Sequence, residues 1–161
     1  MILQILTHPD PLLRVVAARV GAITDRTEKV AWDLIATMEQ ADGIGLAATQ
    51  VGIAQRIVVM QMPDGEPHVL INPHIYSHSK EMAHRIEACL SVPGAAAQVT
   101  RPQKVWATYQ DLSGKEHDIE LQDLAAACLQ HEVDHLNGLL FIDKISPLRR
   151  SRMHKQPPQT L

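Results

Sequence analysis

Residues 123–138, DLAAACLQHEVDHLNG, limit what this chain can be more than any other stretch, because they hold His-Glu-x-x-His at His131, Glu132 and His135. Residues four apart on a helix lie roughly 6 Å apart along the axis and about 40° apart around it, so the two imidazoles share one face. Imidazoles placed this way grip one divalent ion, and Glu132, about 100° round from His131, reaches toward it as a general base. Asp123 as N-cap and the Asn137-Gly138 pair as stop bound the helix. A histidine pair alone is more often ordinary packing. The glutamate beside the first of them favours the metal.

Three protein ligands leave an ion with an open coordination position, so the third ligand decides the kind of site. Cys128 shares the histidine face, but it is seven residues from His135. That is roughly 10.5 Å on a straight helix, against the about 4 Å between ligands of one tetrahedral ion. Cys128 is therefore expected to line a pocket, and the third ligand to come from elsewhere. A lone cysteine such as Cys89 is usually a small buried hydrophobe, a balance that shifts beside an incomplete metal motif.

A chain of 161 residues with 45% hydrophobic content buries one core, and no linker or change of composition divides it, so residues 1–161 are read as a single domain. A net charge of -3 and 3% aromatic content argue against a groove that tracks phosphates and stacks bases. Sequence-specific nucleic-acid binding is not expected; a small-molecule or peptide ligand is. The opening MILQILTHPDP lacks the basic start and apolar length of an export signal, and no apolar run is long enough to span a bilayer. The expectation is a cytoplasmic protein without membrane contact, with Cys89 and Cys128 as free thiols.

The remaining pattern is mixed. LQILTHPDPLLRVV reads as an extended piece, a turn and a one-turn helix around Pro9, Asp10 and Pro11. Asp25 and Glu28 make a capping-box pattern, and Val30, Ala31, Leu34, Ile35 and Met38 recur at helical spacing up to Ala41. Then comes GIGLAATQ at 43–50. It is either a plain helix-to-strand connection or a loop in which Gly43 and Gly45 admit a ligand's backbone and Gln50 donates to a developing oxyanion. Strands are expected over 56–62 and 68–72, joined by Pro63-Asp64-Gly65, and over 104–111 and 117–122, joined around Ser113-Gly114. The fold class is thus α+β, with antiparallel sheets packed around the central HExxH helix. His68, His74, His78, His84 and His117 show no ligand spacing and read as surface residues. From about residue 146, with Ser146 as cap and Pro147 at the first helical position, a short basic helix is expected to fray at Pro157-Pro158. Arg149, Arg150, Arg152 and Lys155 there form either a solvated face or a contact for an anionic surface such as ribosomal RNA.

Three separated motifs, GIGLAATQ, EACLS and QHEVDHLNG, stand in an order that resembles the signature of the peptide deformylases, GxGLAAxQ, EGCLS and QHExDH. The resemblance runs from LQILTHPDPLLR to SPLRRSR, nearly the whole chain. It implies metal ligation by Cys89, His131 and His135, a general base at Glu132, and oxyanion donors at the Gln50 side chain and the Leu90 backbone N–H. It further implies Fe(II) as the native metal, replaceable by Ni, Co or Zn, and release of formate from N-formylmethionine at the start of new polypeptides. Formyl-Met peptides are the implied partners, and the ribosome is a candidate partner for the basic segment. Leu124, Ala127 and Cys128 share the face of His131 and form an expected methionine pocket that Ile44 closes. Glu87 and Arg101 match the family's usual acid and base and are expected to pair as structural support.

The chain departs from the signature at Ala88, which stands where the family has glycine. One competing reading is a catalytically weak paralogue that binds peptide N-termini or the ribosome. Another, a metzincin-like endopeptidase, finds its glycine at Gly138 but meets Phe141 where its third histidine belongs.

Overall fold

The computed structural model describes residues 1–151 and 160–161. In chain order its elements are α1 (Asp25–Gln40), β1 (Gly45–Ala47), β2 (Ile57–Gln61), β3 (Pro67–His78), β4 (Met82–Cys89), β5 (Val92–Pro102), β6 (Lys104–Gln110), β7 (Glu116–Gln122), α2 (Asp123–Leu136) and α3 (Pro147–Arg150). Five strands form one antiparallel sheet in the order β1-β2-β3-β6-β7, while β4 and β5 pair as a separate hairpin.

The layering follows from β2. Successive strand side chains point to opposite faces, and here both faces are covered. Ile57 and Val59 join Leu34, Ile35 and Met38 of α1 in one apolar cluster. Val58 and Met60 join Ala126, Leu129 and Leu136 of α2 in another. The sheet therefore lies between α1 and the HExxH helix, in agreement with the α+β class expected above. A third cluster packs Cys89, Val92, Ala97 and Val99 of the hairpin against Leu140, Phe141, Ile142 and Ile145, the residues that follow α2. That cluster brings Cys89 to α2.

Local chemistry corrects several boundaries. The N-cap of α1 is Thr24, whose side chain accepts from Thr27 N–H while Thr27 Oγ1 accepts from Thr24 N–H; Asp25 is the first helical residue. Asp123 likewise lies inside α2 rather than capping it, at φ 55°, and its carboxylate accepts from Gln103 and lies 3.7 Å from Arg85. The stop is as read: Asn137 is the C-cap, Gly138 follows at φ 75°, and Arg56 donates to Leu136 O. The strand foreseen over 68–72 continues to His78.

The β4–β5 hairpin escaped the periodicity because its burial runs against hydropathy. Ile86 is 43% exposed and Glu87 only 1%, so the apolar alternation that marks a half-buried strand is inverted. His74, His78 and His84 are exposed, and His68 and His117 are half-buried, each beside an aspartate, Asp64 at 2.8 Å and Asp111 at 2.7 Å. In α3, Ser146 caps as expected, Arg149 donates to Gln98 O and Arg150 to Ile142 O. The expected fraying at Pro157-Pro158, with Arg152 and Lys155, lies outside the described residues. No described helix is long and apolar enough to cross a membrane.

Candidate metal centre

His131 and His135 meet as the helical spacing requires, with Nε2 atoms 3.2 Å apart. Cys89 Sγ, arriving from the end of β4, lies 3.2 Å from His135 Nε2. The three donor atoms all fall within 4.8 Å of one another, and all three residues are buried. Among the described residues no other such trio occurs. Soft sulfur with two nitrogens is a donor set for a borderline divalent ion.

The orientation of His131 is fixed from behind. Glu87 Oε1 stands 3.0 Å from its Nδ1, so the ring places its proton there and turns the Nε2 lone pair toward Cys89 and His135. Arg101 grips Glu87 with two bonds of 2.6 and 2.9 Å and reaches Asp134 at 2.9 Å. Burial alone raises a carboxyl pKa, but the bonds from His131 and Arg101 outweigh it and hold Glu87 at about 2. The Phe141 ring lies 6.2 Å from that of His131 at 24°. An aromatic wall thus stands where the metzincin reading needed a ligand.

Glu132 has the opposite environment. It is fully buried, and among the described residues neither of its oxygens has a hydrogen-bond partner. Burial raises its pKa from 4.5 to about 7. A carboxyl that titrates near neutrality beside an ion site suits proton transfer. Gln50 Oε1 accepts from Ala47 N–H, which turns Nε2 toward Ser91 Oγ at 3.1 Å and Cys89 Sγ at 3.7 Å. Leu90 follows Cys89 in the β4–β5 turn.

The glycine-rich stretch makes room for protein as well as ligand. A Cβ at Gly45 would stand 2.7 Å from Cys128 Sγ and 2.8 Å from Glu132 Oε1, and one at Gly43 would stand 2.8 Å from Leu90 Cδ1. The close approach expected there for a ligand is thus taken, in this structure, by α2 and by Leu90. Ala88 lies in β4 with no positive φ, 1% exposed, beside a register shift at Cys89.

The residues expected to form the methionine pocket are distributed over two adjoining hollows. Ile44, Leu124 and Cys128, with Met62 and Ala125, line a cleft of about 500 Å³. Ala127 and Leu124, with Ile86 and Glu87, line a neighbouring one of about 430 Å³. The Cys128 thiol is pushed up by burial and faces Ile44 O at 3.7 Å. Ser91 and Asp134 belong to the site's surroundings and were not singled out by sequence, and Phe141 was noted there only as the wrong residue for a third histidine ligand. Ser91 and Asp134 did lie inside the quoted motifs, but hydropathy does not distinguish a supporting hydroxyl or carboxylate from an exposed one.

The polypeptide deformylase family profile matches residues 2–151. The chain is 45% identical over 157 residues to a peptide deformylase of Stutzerimonas stutzeri, covering 96% of this chain and 94% of that protein. It is equally identical, with the same coverage, to one from Pseudomonas aeruginosa. Among solved structures, the peptide deformylase of Ehrlichia chaffeensis in complex with actinonin superposes with a TM-score of 0.90 at 39% identity, over 94% of this chain and 92% of that one. A class I type b peptide deformylase from Acinetobacter baumannii bound to Met-Ala-Ser gives 0.85 at 34% identity, over 90% and 99%.

Proposed function

The chain belongs to the polypeptide deformylase family, and from that premise we propose how its residues divide the work. It is an enzyme of the family's kind, a metal-dependent hydrolase that removes the formyl group from an N-terminal methionine. No observation favours the weak paralogue. Cys89, His131 and His135 are assigned as the metal ligands, and the observation that carries the assignment is their buried trio beside a Glu132 that has no hydrogen-bond partner among the described residues. An ion held there supplies a Lewis acid that polarises a carbonyl and acidifies water.

The protein's own groups do the rest. Glu132 takes a proton from the attacking water and returns it to the leaving amine as the C–N bond breaks, giving formate and a free N-terminus. Gln50 Nε2 and Leu90 N–H are assigned as donors to the oxygen that becomes an anion in the transition state. The peptide is assigned to the cleft lined by Ile44 and by Leu124, Ala127 and Cys128 of α2, while Gly43 and Gly45 let the strand carrying Ile44 pack close against Leu90 and α2. Arg101 and Glu87 act through His131 by fixing its ring.

Fe(II) is proposed as the resident ion, with Ni, Co or Zn as substitutes, since a thiolate with two imidazoles suits all of them. The domain assignment is one catalytic unit over residues 1–161 acting in the cytoplasm. Contact of the basic segment with the ribosome rests on the charge of Arg149 and Arg150, and sedimentation with ribosomes tests it.

The deciding experiment measures metal content and formate release from formyl-Met peptides after anaerobic loading with Fe(II) or Ni(II). Cys128→Ser should keep one ion per chain, while Cys89→Ser should change affinity or metal preference. The reverse pattern would overturn the ligand assignment.

A further inference from the structure

The residues Thr160 and Leu161 are seated at the cleft. Ile44 N–H donates to Thr160 O at 3.4 Å, and Leu161 N–H donates to Ala88 O at 3.0 Å. These two bonds belong to one peptide unit. Because the C=O and N–H of a trans amide point in opposite directions, the 160–161 amide is held between two walls, the residue that leads into β1 on one side and β4 on the other. β1 is an edge of the five-stranded sheet, and β4 pairs only with β5. Each presents unpaired backbone groups, the template on which an extended peptide docks by adding a strand.

The side chain is seated as well as the backbone. Leu161 is only 3% exposed and joins the apolar cluster that contains Cys128 and Leu129. It also lines the hollow shared by Ile86, Glu87, Leu124 and Ala127. A leucine at the end of the polar run HKQPPQT has no periodic partner in sequence, and its burial is explained by the cleft alone. Burying the leucine side chain favours the seated state, and a segment tethered to the same chain competes with an incoming peptide at an effective concentration on the order of millimolar.

We propose that Thr160–Leu161 is an intramolecular occupant of the peptide cleft, held on Ile44 and Ala88 where a substrate backbone must bind, so that the chain keeps its own active site partly closed. The inference rests on the reading that peptides bind in this cleft. The Thr160 nitrogen lies in an internal peptide bond to Gln159 and carries no formyl group, so the segment blocks without being turned over. Peptides that reach the cleft do so from the fraction of molecules in which the segment has left. If that fraction is about a tenth, apparent binding constants are raised about tenfold.

The test compares the whole chain with a variant lacking Thr160 and Leu161 and with Leu161→Asp, all metal-loaded. Calorimetric binding of unformylated Met-Ala-Ser should tighten about tenfold in both variants. KM for a short formyl-Met peptide should fall by the same factor at unchanged kcat and metal content. Unchanged binding in both variants, or loss of binding in both with intact melting curves, would overturn the proposal. An effect that grows with protein concentration would assign the occupant to a neighbouring copy and overturn the intramolecular reading. Because peptide binding is read without turnover, tighter binding together with no formate from any of the three proteins would uphold the occupant and count against the proposed reaction instead.

Discussion

α1 and α2 both lie against the same sheet, yet they are held by different physics. α1 buries Ala31, Leu34, Ile35 and Met38 on one stripe and leaves Trp32 56% exposed. Its buried polar groups are satisfied: Thr37 Oγ1 donates to Asp33 O at 2.6 Å and accepts from Leu3 N–H at 2.8 Å, and Asp33 pairs with Lys29. α2 buries His131, Glu132 and His135 to 1% exposure or less. Of the four buried polar side-chain atoms without a partner among the described residues, three belong to Glu132 and His135. A buried polar group without a partner costs about 1–3 kcal/mol. One helix is therefore arranged for stability, while the other gives up stability at the positions assigned to chemistry.

The sharpest way to break that contrast is to remove the orphan. Glu132→Gln should keep the metal and lose about 10²- to 10⁴-fold in turnover, the usual worth of general acid–base help. Near-normal turnover in the loaded variant would take Glu132 out of the mechanism. The same group sets a pH dependence. Its folded pKa of about 7 lies above 4.5, so the folded state binds the extra proton, and the metal-free protein should lose stability as pH rises from 4.5 to about 7. Urea melts across that window should show the slope in the wild type and its reduction in Glu132→Gln. In the loaded enzyme a nearby dication favours the carboxylate, so the acid limb of kcat/KM should lie at or below about 7.

A pair of variants then separates the support behind His131 of α2 from the core under α1. Glu87→Ala leaves Arg101 buried without its bidentate partner and frees the His131 ring. It should cost about 3–5 kcal/mol of stability and about 10- to 100-fold in metal affinity. Leu34→Ala in α1 should cost about 2–5 kcal/mol by leaving a cavity, with kcat per folded molecule unchanged. Chemical denaturation beside metal titration reads both. Equal metal affinity in the two variants would remove the distinction.

The smallest effect concerns Ala88. Its backbone is extended, so glycine there offers no conformational relief. Ala88→Gly should cost roughly 0.5–1 kcal/mol of stability, as glycine does in a strand, and change formate release per folded molecule by less than about fivefold, or about 1 kcal/mol of barrier. A loaded wild type that releases no formate, with activity appearing only in Ala88→Gly, would make the alanine a silencing substitution.

The sequence by itself determined the elements whose signal is local. The stripe of α1, the His131–His135 spacing and the Asn137-Gly138 stop are each written within a few turns of chain, because helical periodicity and turn chemistry act over short separations. The position of Cys128 outside the donor trio was equally legible, since it needed only the rise of a helix. Tertiary structure decided the rest. Periodicity left the partner of the histidines open, and Cys89 reaches them through a cluster of residues 89–99 and 140–145 that no local pattern predicts. Glu87 faces inward and Ile86 outward because Arg101 and His131 wait on the buried side, a pairing across 14 and 44 residues of chain. Gly45 owes its lack of a side chain to Cys128 and Glu132, on a helix some eighty residues later in the sequence. Such choices are fixed by desolvation and close approach, which depend on what the folded chain brings near and leave no mark on the hydropathy of the residues themselves.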